Sequence, residues 1–157
     1  MPQSGYHHAM ARNSIHIDAP PDAVFAVLAD GHSYERWVVG CQAIRDVDKD
    51  WPAPGTRFYH RVGVGPLTTA DYSEALVSDP PRVLVLRVRA RPIGTAKVTL
   101  EIGAEDDGSA LVMIEVPLSD WTRRLWNPVL DWLTKLRNAE ALRRLKNLAE
   151  ERATMGA

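Results

Sequence analysis

Residues 127–153, NPVLDWLTKLRNAEALRRLKNLAEERA, read as one unbroken helix of about seven turns at ~3.6 residues per turn. Asn127 suits an N-cap and Pro128 the first helical position, where a missing amide hydrogen costs nothing and φ is already helical. Val129, Trp132, Leu133, Leu136, Ala139, Leu142, Leu145, Leu148 and Ala149 recur at three-and-four spacing, which predicts a single apolar stripe. Lys and Arg crowd the later turns, where the helix dipole favours positive charge. At ~1.5 Å per residue the segment spans about 40 Å. A helix of that length needs a long, concave partner surface.

Upstream, from Gln42 to Leu118, β-branched and alternating runs follow one another, separated by turn chemistry at WPAPG, GVGP, SDPPR, RPIG and EDDGS. The pattern predicts a meander of about six antiparallel strands. In RVLVLRVRA, Leu84, Leu86 and Val88 oppose Val85, Arg87 and Arg89. In TAKVTLEI, Ala96, Val98, Leu100 and Ile102 oppose Lys97, Thr99 and Glu101. Each strand thus has a wet and a dry face. Before the meander, SIHI reads as a strand running through DAPPD into the helix AVFAVLA, and SYERWVV is a second short helical stretch. The expected fold is α+β: a curved antiparallel sheet of about seven strands wrapped around the long C-terminal helix, with two short helices after strand 1. Such a sheet must curl, and its dry face must be covered. A gap between sheet and helix, roofed by the short helices, suits a small apolar ligand.

The 157 residues are 45% hydrophobic and 25% charged, as expected of one globular domain able to bury a core. A formal net charge of -1 gives no general pull towards nucleic acid or acidic membranes. Cys41 is the only cysteine, which excludes an intramolecular disulfide and a CxxC metal pair and points to the cytoplasm. The N-terminal MPQSGYHHAMARN lacks the apolar core of a signal peptide, and no run approaches the ~18 apolar residues of a membrane span. Residues 1–12 read as a flexible tail and 13–157 as the domain, monomeric or homodimeric.

Several stretches carry a family resemblance: IHIDAPPDAVFAVLAD, HRVGVGPLTTADYSEAL, RARPIGTAKVTLEI, VMIEVPLS and LRNAEALRRLKNLAEE. Over roughly residues 13 to 153 the chain resembles a bacterial branch of the START-like, or SRPBCC, helix-grip superfamily, which includes polyketide cyclase/dehydrase-like and lipid-transfer proteins. The resemblance implies the fold and a hydrophobic cavity. Members bind lipids, polyketides or hormones, so the shared architecture does not by itself assign chemistry.

The residues offer a short set of candidates. His60 shares its side of RFYHRVGV with Phe58, Val62 and Val64, which points it to the dry face, as a ligand hydrogen-bond partner, a general base, or a core histidine satisfied by one neighbour. Asp71 and Tyr72 are adjacent, so only one faces inward. Tyr72, which shares its side with Ala70 and Leu76, is the expected one. Glu115 either pairs outward with Lys97 or an arginine, the expected arrangement, or sits inward as a buried carboxylate with a raised pKa and a catalytic role. Trp37, Leu86, Val98, Leu133 and Leu136 complete the expected ligand lining with Phe58, His60 and Tyr72. Arg87, Arg89 and Arg91 read as a solvated edge.

No HExxH or paired-histidine spacing suggests a metal, and no GxSxG or Cys-His pairing suggests a nucleophile. Gly63 and Gly65 precede Pro66 and a strand, so they make a hairpin turn and not a phosphate loop. No cofactor is expected. The expected function is a binding or carrier protein for a small lipid-like, polyketide-like or isoprenoid-like molecule, with no nucleic-acid partner and no membrane span. A cyclase or dehydratase using His60 with Tyr72 or Glu115 is the alternative, and a co-chaperone-like protein-binding module a third.

Overall fold

The computed structural model describes residues 11–90, 94–125 and 127–156. Strand β1 (Ala11–Ile17) leads into helix α1 (Pro21–Ala29), a 3-10 turn (Gly31–Ser33) and the short helix α2 (Tyr34–Trp37). The meander follows as β2 (Cys41–Val47), β3 (Arg57–Val64), β4 (Leu67–Asp79), β5 (Val83–Ala90), β6 (Gly94–Glu105) and β7 (Gly108–Pro117). Helices α3 (Asp120–Leu125) and α4 (Pro128–Met155) close the chain. The strands form one antiparallel sheet in the order β1-β7-β6-β5-β4-β3-β2, so only β1 leaves the meander order. This is the helix-grip architecture expected from the sequence.

Local chemistry explains the joints. Pro20 and Pro21 open α1, which buries Val24, Phe25, Val27 and Leu28. Its last carbonyls are claimed by side chains: Ser33 Oγ donates to Val27 O at 2.7 Å, while Tyr34 Oη and Trp51 Nε1 donate to Leu28 O at 2.9 and 3.2 Å. Gly65 turns the β3–β4 hairpin with φ of 58°, and a Cβ on Gly63 would stand 2.1 Å from Leu67 O, so both glycines are required. They make the hairpin that the sequence suggested. Asn127 caps α4, its Oδ1 accepting from Val129 N and Leu130 N at 2.9 and 3.0 Å.

Two features differ from expectation. The first strand begins at Ala11, because Ala11 and Arg12 pair with Glu115 and Ile114, so the domain takes in the last two residues of the expected tail. Residues 1–10 lie outside the described residues. Helix α3 was not expected, and it exposes Trp121 and Leu125.

The largest correction concerns α4. Asn138, Ala141, Leu142, Leu145 and Ala149 are buried, whereas Val129, Trp132, Leu133 and Leu136 are 64, 59, 48 and 49% exposed. The expected single stripe is two half-stripes on opposite faces. Leu133, Leu136, Ala139 and Leu142 follow one another at steps of three, and each step falls about 60° short of a full turn, so the series walks roughly 180° around the helix. The second half of α4 packs on β1, α1 and α2. Its first half carries apolar residues on the face that points away from the sheet.

Candidate functional site

On the concave face, inward side chains line up across strands: Phe58, Ser73, Val88 and Ala96 in one row, Ala75, Leu86, Val98 and Glu115 in the next, Leu84, Leu100 and Met113 beyond. At one end this face is sealed, with Leu84, Leu100, Ile102 and Leu111 packed beneath α1 and the second half of α4. At the other end Val62, Thr69, Val88 and Ala96 point the same way yet stay half-buried. The inward residues are therefore less covered around Val62, Thr69, Val88 and Ala96, next to the buried His60 and Asp71 on β3 and β4.

His60 is 2% exposed, and its Nε2 lies 3.0 Å from Ser73 Oγ, itself 1% exposed. Nδ1 is buried and makes no hydrogen bond. Burial pushes the imidazole pKa below its ordinary value, and the Arg45 charge acts the same way, while Asp71 and the Tyr72 backbone oppose them. Asp71 stands directly opposite His60 in the β3–β4 ladder and is 3% exposed. Its Oδ1 accepts from Tyr72 N at 2.9 Å and lies 3.6 Å from Arg89 Nε.

An aromatic wall adjoins this polar group. The Phe58 ring is 5.5 Å from His60, Tyr34 and Trp51 are 4.5 and 4.9 Å from Phe58, and Trp37 is 4.8 Å from Tyr34. Trp37 Nε1 donates to Ser33 Oγ at 3.3 Å, and burial drives the Tyr34 phenol far above its ordinary pKa. Both side chains are therefore fixed, un-ionised walls. Their hydrogen bonds tie the short helices to one another, and the Tyr34–Phe58 contact sets them against β3.

The structure brings Phe58 and His60 together and sets Leu86 opposite Val98 one row deeper, with Trp37 in the wall. Four expectations are corrected. Tyr72 faces outward, clasped by the guanidinium groups of Arg57 and Arg89 at 4.3 and 4.7 Å from its ring, because the β3–β4 register assigns the inward positions to Asp71 and Ser73. Glu115 faces inward and not outward, in line with Leu111 and Met113, but it does form the expected ion pair with an arginine, accepting from Arg137 Nη2 at 2.5 Å and from Asn138 Nδ2 at 2.8 Å, which makes it a brace for α4. Leu133 and Leu136 lie on the face of α4 opposite Asn138 and so point away from the sheet. The expected solvated edge is not one: β5 is the central strand, where Arg87 pairs with Glu74 on the outer face and Arg89 reaches the buried Asp71, while Arg91 lies outside the described residues.

Ser73 escaped the sequence reading. In DYSEA the inward positions are Asp71, Ser73 and Ala75, so polarity hid the dry face, and only equal parity with Ala75 signalled it. Among the described residues no group of three His, Cys, Asp or Glu side chains is placed to hold a metal ion. A surface cleft of about 290 Å³ lies between α1, α2 and the last turns of α4, where Val27 and Leu148 form its apolar part and Asp30, Arg36 and Arg152 its charged part.

Solved structures share this architecture. A protein of Nitrosomonas europaea is 16% identical, covering 90% of this chain and 94% of its own, with a TM-score of 0.69. Ara h 8.0201 is 14% identical, covering 89 and 96%, with a TM-score of 0.68. The di-domain ARO/CYC StfQ from the steffimycin biosynthetic pathway is 15% identical, covering 93% of this chain and 52% of its own, with a TM-score of 0.66. At such identities these likenesses speak for the fold alone. No curated protein matches the sequence. The model of the polyketide cyclase / dehydrase and lipid transport family matches residues 8–150. Membership suggests a hydrophobic-ligand-binding domain, and no helix of the described residues is long and apolar enough to cross a membrane. The chain belongs to the polyketide cyclase / dehydrase and lipid transport family, within the START-like helix-grip superfamily.

Proposed function

We propose that the protein is a binding or carrier protein for a small, largely apolar molecule, held in a recess between the concave face of β3–β6 and the helices. The observation that carries this reading is the contrast along the concave face: inward residues are sealed at one end but half-buried at Val62, Thr69, Val88 and Ala96, beside a rigid aromatic wall. Phe58, Leu86 and Val98 supply apolar contact and His60 a polar one. Proton transfer needs a second group on the reacting atoms. Tyr72 faces away, and Glu115 is four strands from His60, roughly 19 Å along the sheet at ~4.8 Å per strand.

Native mass spectrometry of protein from its own host, with co-purified small molecules as the readout, tests the reading, and an environment-sensitive dye locates the site. Leu86→Trp, in protein shown to remain folded, is expected to lower dye affinity by about tenfold or more, since an indole fills space beside Val98. Unchanged binding would place the site elsewhere. A cyclase or dehydratase is the second reading, favoured by Asp71 facing His60 across the ladder. It predicts conversion of a bound molecule that falls by two to four orders of magnitude in His60→Gln, the usual size of an acid–base contribution.

A further inference from the structure

We infer that the recess recognises an uncharged hydrogen-bond acceptor, the carbonyl oxygen of a ketone, ester or amide on an apolar body, through Nδ1–H of His60. This rests on the recess being the ligand site. The argument follows one proton. Ser73 is 1% exposed, and its hydroxyl has one hydrogen-bond partner among the described residues, His60 Nε2 at 3.0 Å. A buried hydroxyl proton must be given to an acceptor. Ser73 Oγ–H therefore donates to Nε2, which must carry the lone pair. Burial disfavours the charged ring, so the neutral imidazole holds its proton on Nδ1.

Nδ1–H is then a donor that makes no hydrogen bond of ordinary geometry, the Tyr72 backbone carbonyl drawing on the ring only weakly, in a side chain 2% exposed. Leaving such a group unmatched is costly, and a ligand oxygen relieves it. A donor would be the wrong partner, because it would meet another N–H. An anion fits poorly as well. It would exchange its hydration for one neutral N–H, with the Asp71 carboxylate across the ladder. The neighbouring cations are engaged, Arg89 Nε with that carboxylate and Arg45 Nη2 with the Asp71 backbone carbonyl at 3.4 Å. Phe58 beside the imidazole and Val88 on the same concave face ask for an apolar body around the carbonyl.

Matched probes that differ only by CH2 against C=O test the inference: indane and 1-indanone, tetralin and 1-tetralone, fluorene and 9-fluorenone, titrated against the full chain. The ketone of each pair that binds is expected to bind about five- to tenfold tighter, the scale of one hydrogen bond. The preference should vanish in His60→Phe and survive in part in His60→Gln, whose amide still donates. In parallel, 15N NMR of the unliganded wild type should show Nδ1 protonated and Nε2 bare, with the Nδ1 resonance moving on addition of the ketone. Ser73→Ala should remove that tautomer bias, which keeps the idea testable if His60→Phe does not fold. Equal binding within the pairs, or a proton on Nε2, overturns the inference while leaving apolar binding intact. If no member of any pair binds, the recess reading fails and takes the inference with it.

Discussion

At the scale of single residues, environment decides reactivity. Cys41 is half-buried at the start of β2, and burial, with the Glu35 carboxylate adding to it, pushes its thiol pKa up to about 11. Only the thiolate attacks electrophiles. At pH 7.5 iodoacetamide should therefore modify native Cys41 on the order of a hundredfold more slowly than a free cysteine of pKa ~8.5, and urea should abolish the difference. Equal rates in native and unfolded protein would contradict the placement of the thiol. The face on which a residue sits was legible only where neighbours of equal parity agree. Phe58, His60 and Val62 declare one face of β3 in the sequence itself. Glu115 does not, because Leu111 and Met113 on its own side and Val112, Ile114 and Val116 on the other are equally apolar. Its direction is set by β7 pairing with β6 and by Asn138 reaching down from a helix 23 residues away.

At the scale of elements, the length of α4 and its cap at Asn127 were readable, but its orientation was not. Three-residue steps look periodic in a sequence, yet they drift around a cylinder of 3.6 residues per turn. Only contacts with β1 and α1 show where the drift leaves the core. The two halves should respond oppositely to the same change. Leu142→Asp inserts a carboxylate at a site 1% exposed and should cost several kcal/mol, enough to unfold a marginal domain. Leu136→Asp, at 49% exposed, should stay within about 0.5 kcal/mol of the wild type. Urea denaturation of both variants checks the assignment, and comparable losses would mean that the first half of α4 packs against the sheet. Helix α3 left little trace in the sequence, since six residues between a strand and a longer helix carry too short a pattern to declare a face.

For the whole molecule, the architecture was the most legible level, because six runs of period two and one long helix admit few arrangements. The sheet's closure by β1 brings titrating groups together. His16 on β1 bonds through Nδ1 to Glu105 at 2.7 Å and through Nε2 to Asp18 at 2.9 Å, with Asp107 at 3.7 Å, and the Glu105 bond is the largest cause of a pKa held above its ordinary 6.5. A raised pKa gives stability that is complete below 6.5 and is lost as pH rises through the folded value. His60 acts in the other sense. Its pKa is lowered, so its contribution is present above 6.5 and is lost as pH falls towards the folded value. Between pH 5 and 8, His16→Gln should therefore flatten the alkaline decline of the melting temperature and leave the acid limb, to which His60 contributes. A wild-type alkaline slope retained in His16→Gln would remove His16 from that role. The same closure has a consequence for the newborn chain. Ala11 pairs with Glu115, so the first strand made has no neighbour until the last strand exists. At about 5–20 residues per second, β1 and the apolar side of α1 leave the ribosome several seconds before β7 is complete. The strands from β2 to β7 each find a partner next in line, whereas the opening segment waits exposed for the whole of that time. It is synthesised first and placed last, which makes it the part of the nascent protein most open to chaperones and proteases.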